Sequence, residues 1–243
     1  MNFGAILAGG IGTRMGGSIP KQFIELKGKP IILYTIERML SVDDFDRLYI
    51  GIHPDYKDYL RELLSKYCIL SEKIVIVDGG KERIDSVENV LNAICKESTK
   101  DNDVVVMHDG VRPFVSKEIL INSINTAREF GVCVATVPAV DTMYMLDKNG
   151  FINGFPDRKT IFNGQAPDSF RVKLLKQAID SLTEQERATI TGTVQICAAK
   201  GYPIKTIQGD YKNMKITTTN DLIIAESIIE SEKINESLCS WGK

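Results

Sequence analysis

The sequence predicts an α/β fold on a mainly parallel central sheet, and three observations carry that expectation. Short apolar runs alternate with amphipathic stretches from the first residues onward. Residues 104–107 are continuously apolar, as a strand covered on both faces requires. A glycine-rich loop directly follows the first apolar run, where open parallel sheets meet their ligands.

The elements follow in order. Residues 3–7 read as a strand ending in the glycine loop. Pro30 opens a helix as a first-turn proline, with Ile32, Ile36, Met39 and Leu40 at helical spacing. Residues 47–52 are the next strand and 55–67 the next helix. A strand at 73–77 runs into Asp78-Gly79-Gly80, after which Val87, Val90, Leu91 and Ile94 mark one helical face. The apolar strand at 104–107 leads to a helix near 117–130 and a strand at 132–137. This β-α-β-α order implies parallel strands joined by helical crossovers.

The rhythm breaks at residues 139–165. Short β-like runs at 142–146 and 151–152 flank Lys148-Asn149-Gly150, a hairpin-like turn. This reads as an inserted β-arm, either reaching a partner subunit or running over the surface of its own. Helical patterning returns at 172–182 and near 193–200, followed by a strand at 204–207. A last helix is expected from about 220 to 230, with Thr218 and Asp221 at capping-box spacing. The expected organisation is one domain over 1–231, with the arm at 139–165 as a candidate dimerisation element and a loose polar tail at 232–243.

Composition narrows the function. The 243 residues are 43% hydrophobic and 26% charged, ordinary for a globular chain. A net charge of −2 gives no general basic field for nucleic acid or an anionic membrane, so a phosphate site must gather its cations locally. Two histidines exclude a histidine-rich metal site. Cys68, Cys95, Cys133, Cys197 and Cys239 form no C-x-x-C pair and read as reduced, buried thiols. No apolar run approaches the ~20 residues of a membrane span, and no charged leader precedes the first strand, so the cytoplasm is the expected address.

The glycine loop is LAGGIGTRMGG, residues 7–17. Glycines let backbone N–H groups converge on an anion without Cβ obstruction. The spacing Gly10-x-Gly12-x-x-x-Gly16 departs from the dinucleotide fingerprint, which disfavours an NAD-dependent dehydrogenase. No Gly-Lys-Ser/Thr ends the loop, which excludes a Walker-type site. What remains is a loop with two cations, Arg14 and Lys21, suited to neutralising charge during attack at phosphorus.

Four further segments carry chemistry. GGKERIDSV, residues 79–87, is a second strand-to-helix turn. Its amides and the Ser86 hydroxyl suit a base edge, while Asp85 and Ser86 equally suit a helix cap. HDGVRPFV, residues 108–115, puts Asp109 at the carboxyl end of the apolar strand, where it can hold hydroxyls or assist Mg²⁺. Arg112 either locks that loop in an internal ion pair or touches ligand. FPDRKTIFNGQAPDSF, residues 155–170, follows Asp141-Thr142; alone, Arg158 there reads as a solvated arginine. GDYKNMKITTTNDL, residues 209–222, carries Lys215 at the start of a short strand, where alone it reads as an exposed strand-end lysine.

These five segments, in order across residues 3–230, resemble the cytidylyltransferases that make CDP-activated polyols. That family includes ribitol-5-phosphate cytidylyltransferase and the 2-C-methyl-D-erythritol 4-phosphate enzyme of isoprenoid synthesis. The resemblance implies a Rossmann-like nucleotidyltransferase fold with a β-arm, a homodimer, CTP and a polyol phosphate as ligands, and Mg²⁺. It implies nucleotide contacts from Leu7, Ala8, Gly9, Gly10, Gly12, the stretch Gly80, Lys81, Glu82, Arg83, Ile84, Asp85 and Ser86, and Gly110. Arg14 and Lys21 become catalytic cations. Arg158, from the partner's arm, and Lys215 join them while positioning the polyol phosphate, alongside Asp109 and Thr142 as acceptor contacts.

Val111, Phe114 and Asn163-Gly164-Gln165 resemble the ribitol type. The acceptor expected is therefore D-ribitol 5-phosphate, giving CDP-ribitol and pyrophosphate for a teichoic-acid or capsule polymer. The alternatives are 2-C-methyl-D-erythritol 4-phosphate and, less favoured, a nucleotide-binding module without turnover. Three places depart from the family pattern. Gly110 replaces a serine, Ala166 and Asp168 replace threonine and glutamine, and Thr191-Gly192 stands where Thr-Asp is common.

Overall fold

The computed structural model describes residues 1–10, 19–97 and 100–240. The chain runs β1 (Asn2–Ala8), a hairpin of β2 (Glu25–Leu26) and β3 (Lys29–Pro30), α1 (Ile31–Leu40), β4 (Arg47–Ile52), α2 (Lys57–Lys66), β5 (Ile74–Asp78), α3 (Arg83–Cys95) and β6 (Val104–Asp109). It continues through α4 (Lys117–Phe130), β7 (Val132–Pro138), the arm strands β8 (Met145–Leu146) and β9 (Ile152–Gly154), then β10 (Phe162–Arg171). Helices α5 (Val172–Asp180), α6 (Glu184–Thr189) and α7 (Thr193–Ala199), strand β11 (Lys205–Gln208) and helix α8 (Thr219–Ser240) complete it.

The main sheet is mostly parallel, as expected, in the order β11-β7-β10-β6-β1-β4-β5. Period-two alternation explains its two covered faces. Ile6 and Ala8 face the layer of α1, α2 and α4, whereas Phe3, Ala5 and Leu7 face α3, α5 and α7. Each fully buried Ile, Leu or Phe contributes roughly 1.5–3 kcal/mol, so this alternation fixes the registers. A third cluster joins Val111, Phe114 and Ile216 to Ala225 and Ile229 of α8. β6 and β4 flank β1 on opposite sides, which makes the carboxyl ends of β1 and β6 a topological switch point.

Four expectations change. The region after the arm contains β10, a ten-residue strand antiparallel to both neighbours in the sheet centre. Pro167 argues against a central strand, but it falls where the pairing to β7 shifts between Gly164 and Asp168, so its missing N–H costs no ladder bond. α8 extends to Ser240, ten residues beyond the expected end, in place of the loose tail. Its first turn is capped as expected, Asp221 accepting the Thr217 and Thr218 N–H groups at 2.8 and 2.7 Å. Lys215 lies outside any strand. Cys68 is exposed rather than buried, whereas Cys133 and Cys197 are buried free thiols.

Candidate active site

Two loops meet at the switch point because glycines let them. A Cβ on Gly9 would lie 2.9 Å from Ser86 Oγ, and one on Gly79 would lie 3.2 Å from the Gly9 Cα. Any side chain at either place would push the phosphate-type loop off the α3 turn. Gln22 then anchors the exit of β1: its buried Nε2 donates to Ala8 O at 2.8 Å and Gly10 O at 3.2 Å. Phe23 is buried against Tyr56 and Tyr59 at ring separations of 5.4 and 5.0 Å. With both following residues held, the short turn Lys21–Phe23 presents Lys21 to the cleft. Gln22 received no role from the sequence; its position beside Lys21 was the available signal.

Two adjoining clefts, each of about 130 Å³, occupy the ends of β1 and β6. One is lined by Leu7, Gly9, Gly10, Gly80, Lys81, Glu82, Arg83 and Ser86. The other adds Ala8, Lys21, Asp109, Gly110 and Lys215. Most of the expected nucleotide contacts are thus brought together. Ile84 instead packs into the core, and Asp85 accepts the Glu82 N–H at 3.0 Å as a helix cap. Ser86 Oγ is also committed locally, accepting from Gly80 N at 2.9 Å. Gly12 and Arg14 lie outside the described residues.

Asp109 is the hub between the clefts. Its Oδ1 takes Arg83 Nη1 at 2.9 Å, while Oδ2 takes Arg112 Nε at 3.2 Å and Lys215 Nζ at 3.1 Å. Burial alone would raise this carboxyl, but Arg83, Lys215 and Arg112 outweigh it and hold the group well below the usual carboxylate range. Three cations on one anion leave the cluster positive, which supplies the local charge that the net charge of −2 lacks.

Backbone bonds knit the motifs around this hub. Ile216 N donates to Val111 O at 2.9 Å, and Arg112 Nη1 donates to Asn213 O at 2.7 Å. Buried Asn213 in turn donates to Ala166 O at 2.6 Å. Arg112 therefore locks its loop internally, one of the two roles open to it from sequence. His108, beside the hub, is driven down to about 4 by burial, so it stays neutral and donates Nε2–H to Arg112 O at 3.0 Å. At Gly110 a Cβ would lie 3.0 Å from Ala8 Cβ, so a larger residue there would need β1 to give by a few tenths of an ångström.

Asp168 is another of the departures from the family pattern. It is buried on β10, where burial and neighbouring Asp109 raise its carboxyl to about 7 against the pull of Arg83. Arg83 Nη2 also reaches Thr193 Oγ1, on the residue after Gly192, at 3.5 Å.

Arg158 and Thr142 are not joined to this cluster. Both are exposed on the arm, Arg158 Nη1 donating to Val140 O at 3.2 Å. The arm pairs β8 with β9 in a separate two-stranded sheet and exposes Tyr144, Met145, Leu146, Phe151, Ile152 and Phe155.

The family model for IspD, 2-C-methyl-D-erythritol 4-phosphate cytidylyltransferase, matches residues 4–231. The chain belongs to this cytidylyltransferase family. It is therefore a nucleotidyltransferase. The 4-diphosphocytidyl-2C-methyl-D-erythritol synthase of Anaerococcus prevotii DSM 20548 is 26% identical with a TM-score of 0.79, covering 95% of this chain and 96% of that one. The 2-C-methyl-D-erythritol 4-phosphate cytidylyltransferase of Francisella tularensis is 28% identical with a TM-score of 0.76, covering 92% and 97%. The Thermus thermophilus enzyme of that name, 23% identical with a TM-score of 0.72 over 94% and 98%, shares the fold. Among the described residues no helix is long and apolar enough to cross a membrane.

Proposed function

We propose that this cytidylyltransferase transfers the cytidylyl group of CTP to 2-C-methyl-D-erythritol 4-phosphate, releasing pyrophosphate. The observation that carries the chemistry is the pairing of Arg83 and Lys215 on Asp109, all three lining the same cleft as Lys21. The acceptor's phosphate oxygen attacks the α-phosphorus in line. That oxygen is already anionic near neutral pH, so no strong general base is required, in keeping with a His108 that is neutral and buried. Rate enhancement comes from positioning and from cations aimed at charge on the α-phosphate and the leaving pyrophosphate. Lys21 and Arg14 serve the nucleotide phosphates and Lys215 serves the acceptor phosphate, with Asp109 as the counter-ion that fixes Lys215 between them.

The acceptor reading is supported by the family's description and by the activities for which the similar structures are named. A second acceptor, D-ribitol 5-phosphate, is favoured by Val111, Phe114 and Asn163-Gly164-Gln165, and would place the product in polymer rather than isoprenoid synthesis. Mg²⁺ enters with the triphosphate in this reading. Among the described residues no group of three His, Cys, Asp or Glu side chains can hold a metal, and both Asp109 oxygens are occupied by cations.

The exposed apolar arm supports a homodimer in which Thr142 and Arg158 reach the neighbouring subunit's acceptor site. The test is pyrophosphate release from CTP with each acceptor in turn. Turnover with 2-C-methyl-D-erythritol 4-phosphate supports the first reading. Turnover only with D-ribitol 5-phosphate replaces it with the second. CTP binding without turnover on either would leave a nucleotide-binding module.

A further inference from the structure

The segment that carries Lys215 has no regular structure of its own. Between the end of β11 at Gln208 and the start of α8 at Thr219 it forms neither strand nor helix. It is nevertheless tied to β7 and to the loop after β6. Gly209 N donates to Thr136 O at 2.8 Å, Tyr211 Oη donates to Pro138 O at 2.8 Å, and Ile216 N donates to Val111 O at 2.9 Å.

Two carboxamides add ties to β10. The Gln165 side chain pairs with the Asp210 backbone as a strand would: Nε2 donates to Asp210 O at 2.9 Å, and Oε1 accepts the Asp210 N–H at 3.3 Å. Asn213 is fully buried; its Nδ2 donates to Ala166 O at 2.6 Å, and its own carbonyl accepts from Arg112 Nη1 at 2.7 Å. Gln165, Ala166 and Pro167 fall outside the registers of β10 with both β6 and β7. A break in the ladder leaves polar groups in need of partners, and the Lys215 segment meets that need. Gly209 permits the close fit, since a Cβ there would lie 2.4 Å from Gln165 Oε1 and 3.2 Å from Thr136 O.

We propose that Gln165 and Asn213 are positioning residues that hold Lys215 at the acceptor phosphate. The inference rests on the reading that Lys215 serves that phosphate. A lysine is a point charge on a flexible stem, so the placement of its backbone decides where the charge can reach. Lys215 lines the cleft with Lys21 and Arg83, its Nζ 3.1 Å from Asp109 Oδ2. It stands between Asn213 and Ile216, both fully buried. Fixed on each side, the ammonium meets an incoming phosphate without the entropic cost of first ordering its segment. Gln165, a mark of acceptor type in the sequence, thereby acts on the acceptor through Lys215.

The test is steady-state kinetics with CTP, Mg²⁺ and 2-C-methyl-D-erythritol 4-phosphate, or D-ribitol 5-phosphate if wild type turns over that acceptor instead. Gln165→Leu removes both bonds and keeps most of the side-chain volume. It should lower kcat/KM for the acceptor about tenfold while KM for CTP moves less than about twofold. In a Lys215→Ala background the same substitution should have almost no further effect, because the residue through which it acts is gone. Gly209→Ala displaces the Gln165 carboxamide without altering it and should reproduce the loss. Asn213→Ala should act in the same way, and Gln165→Leu, at a half-buried position, carries the test if that variant does not fold.

Equal factors for Gln165→Leu in the wild-type and Lys215→Ala backgrounds, or an equal loss toward CTP and acceptor, would make the carboxamides general supports of the fold. Either result overturns the proposal and leaves the reading of Lys215 standing. A Lys215→Ala variant with unchanged kcat/KM for the acceptor would overturn that reading and the proposal together. Wild type that turns over neither acceptor would do the same.

Discussion

Replacing Asp168 with asparagine should change how stability depends on pH, and the direction follows from linkage. The folded-state carboxyl lies at about 7 against 3.8 for the unfolded chain. Between those values the folded protein holds a proton that the unfolded chain has lost, so unfolding free energy falls as pH rises. Below pH 4 both states are protonated and the group contributes nothing. Above pH 7 both are ionised and the full cost is present. Three pKa units correspond to about 4 kcal/mol. Asp109 does not blur the window: its carboxyl is held low, so its stabilisation is fully present above the unfolded value and lost only at more acidic pH. Urea denaturation at pH 5 and pH 8 reads the difference. Wild type should lose stability over this range by more than Asp168→Asn, and the variant should be the more stable protein at pH 8. Equal slopes, or a variant destabilised at pH 8, would refute the reasoning.

Other perturbations probe the rest of the site. Asp109→Ala strands three cations around a buried position and should cost about 3–5 kcal/mol in denaturant unfolding; a loss under about 1 kcal/mol would mean that the cations rearrange freely. Lys21→Ala should lower kcat by about 10²–10³ while CTP affinity changes only a few-fold, and an equal loss in both would make Lys21 a binding residue only. Gln22→Ala leaves Ala8 O without its buried partner, so KM for CTP should rise well before the fold is lost; an unchanged KM would deny Gln22 its role in shaping the loop. Leu146→Asp together with Phe151→Asp should convert a dimer to monomer by light scattering, and a dimer that persists would place the interface elsewhere.

The parts of this protein that sequence exposed are those governed by period and spacing. Alternating Phe3, Ala5 and Leu7 against Ile6 and Ala8, and the helical faces of α1 and α3, follow from burial on two faces of a sheet. The cleft residues were legible because glycine loops at strand ends have few other uses. β10 was hidden because Asn163-Gly164 and Pro167 are turn signals, and only the pairing shift reveals how a central strand accommodates them. The hub was half legible. Asp109 and Lys215 stood out singly, but their convergence with Arg83 and Arg112 depends on bonds between segments about a hundred residues apart, such as Arg112 to Asn213. Asp168 stood out only as a local departure, because its burial depends on the pairing of β10 with β6 and β7.

The central claim is that the cation cluster directs attack to the α-phosphorus of CTP. Phosphorus NMR of wild-type protein with CTP, Mg²⁺ and 2-C-methyl-D-erythritol 4-phosphate tests it most directly. The account predicts loss of the three CTP resonances and matching growth of pyrophosphate and a two-phosphorus diester product. Formation of CDP with a diphosphate monoester of the acceptor would mean attack at the γ-phosphorus and would contradict it.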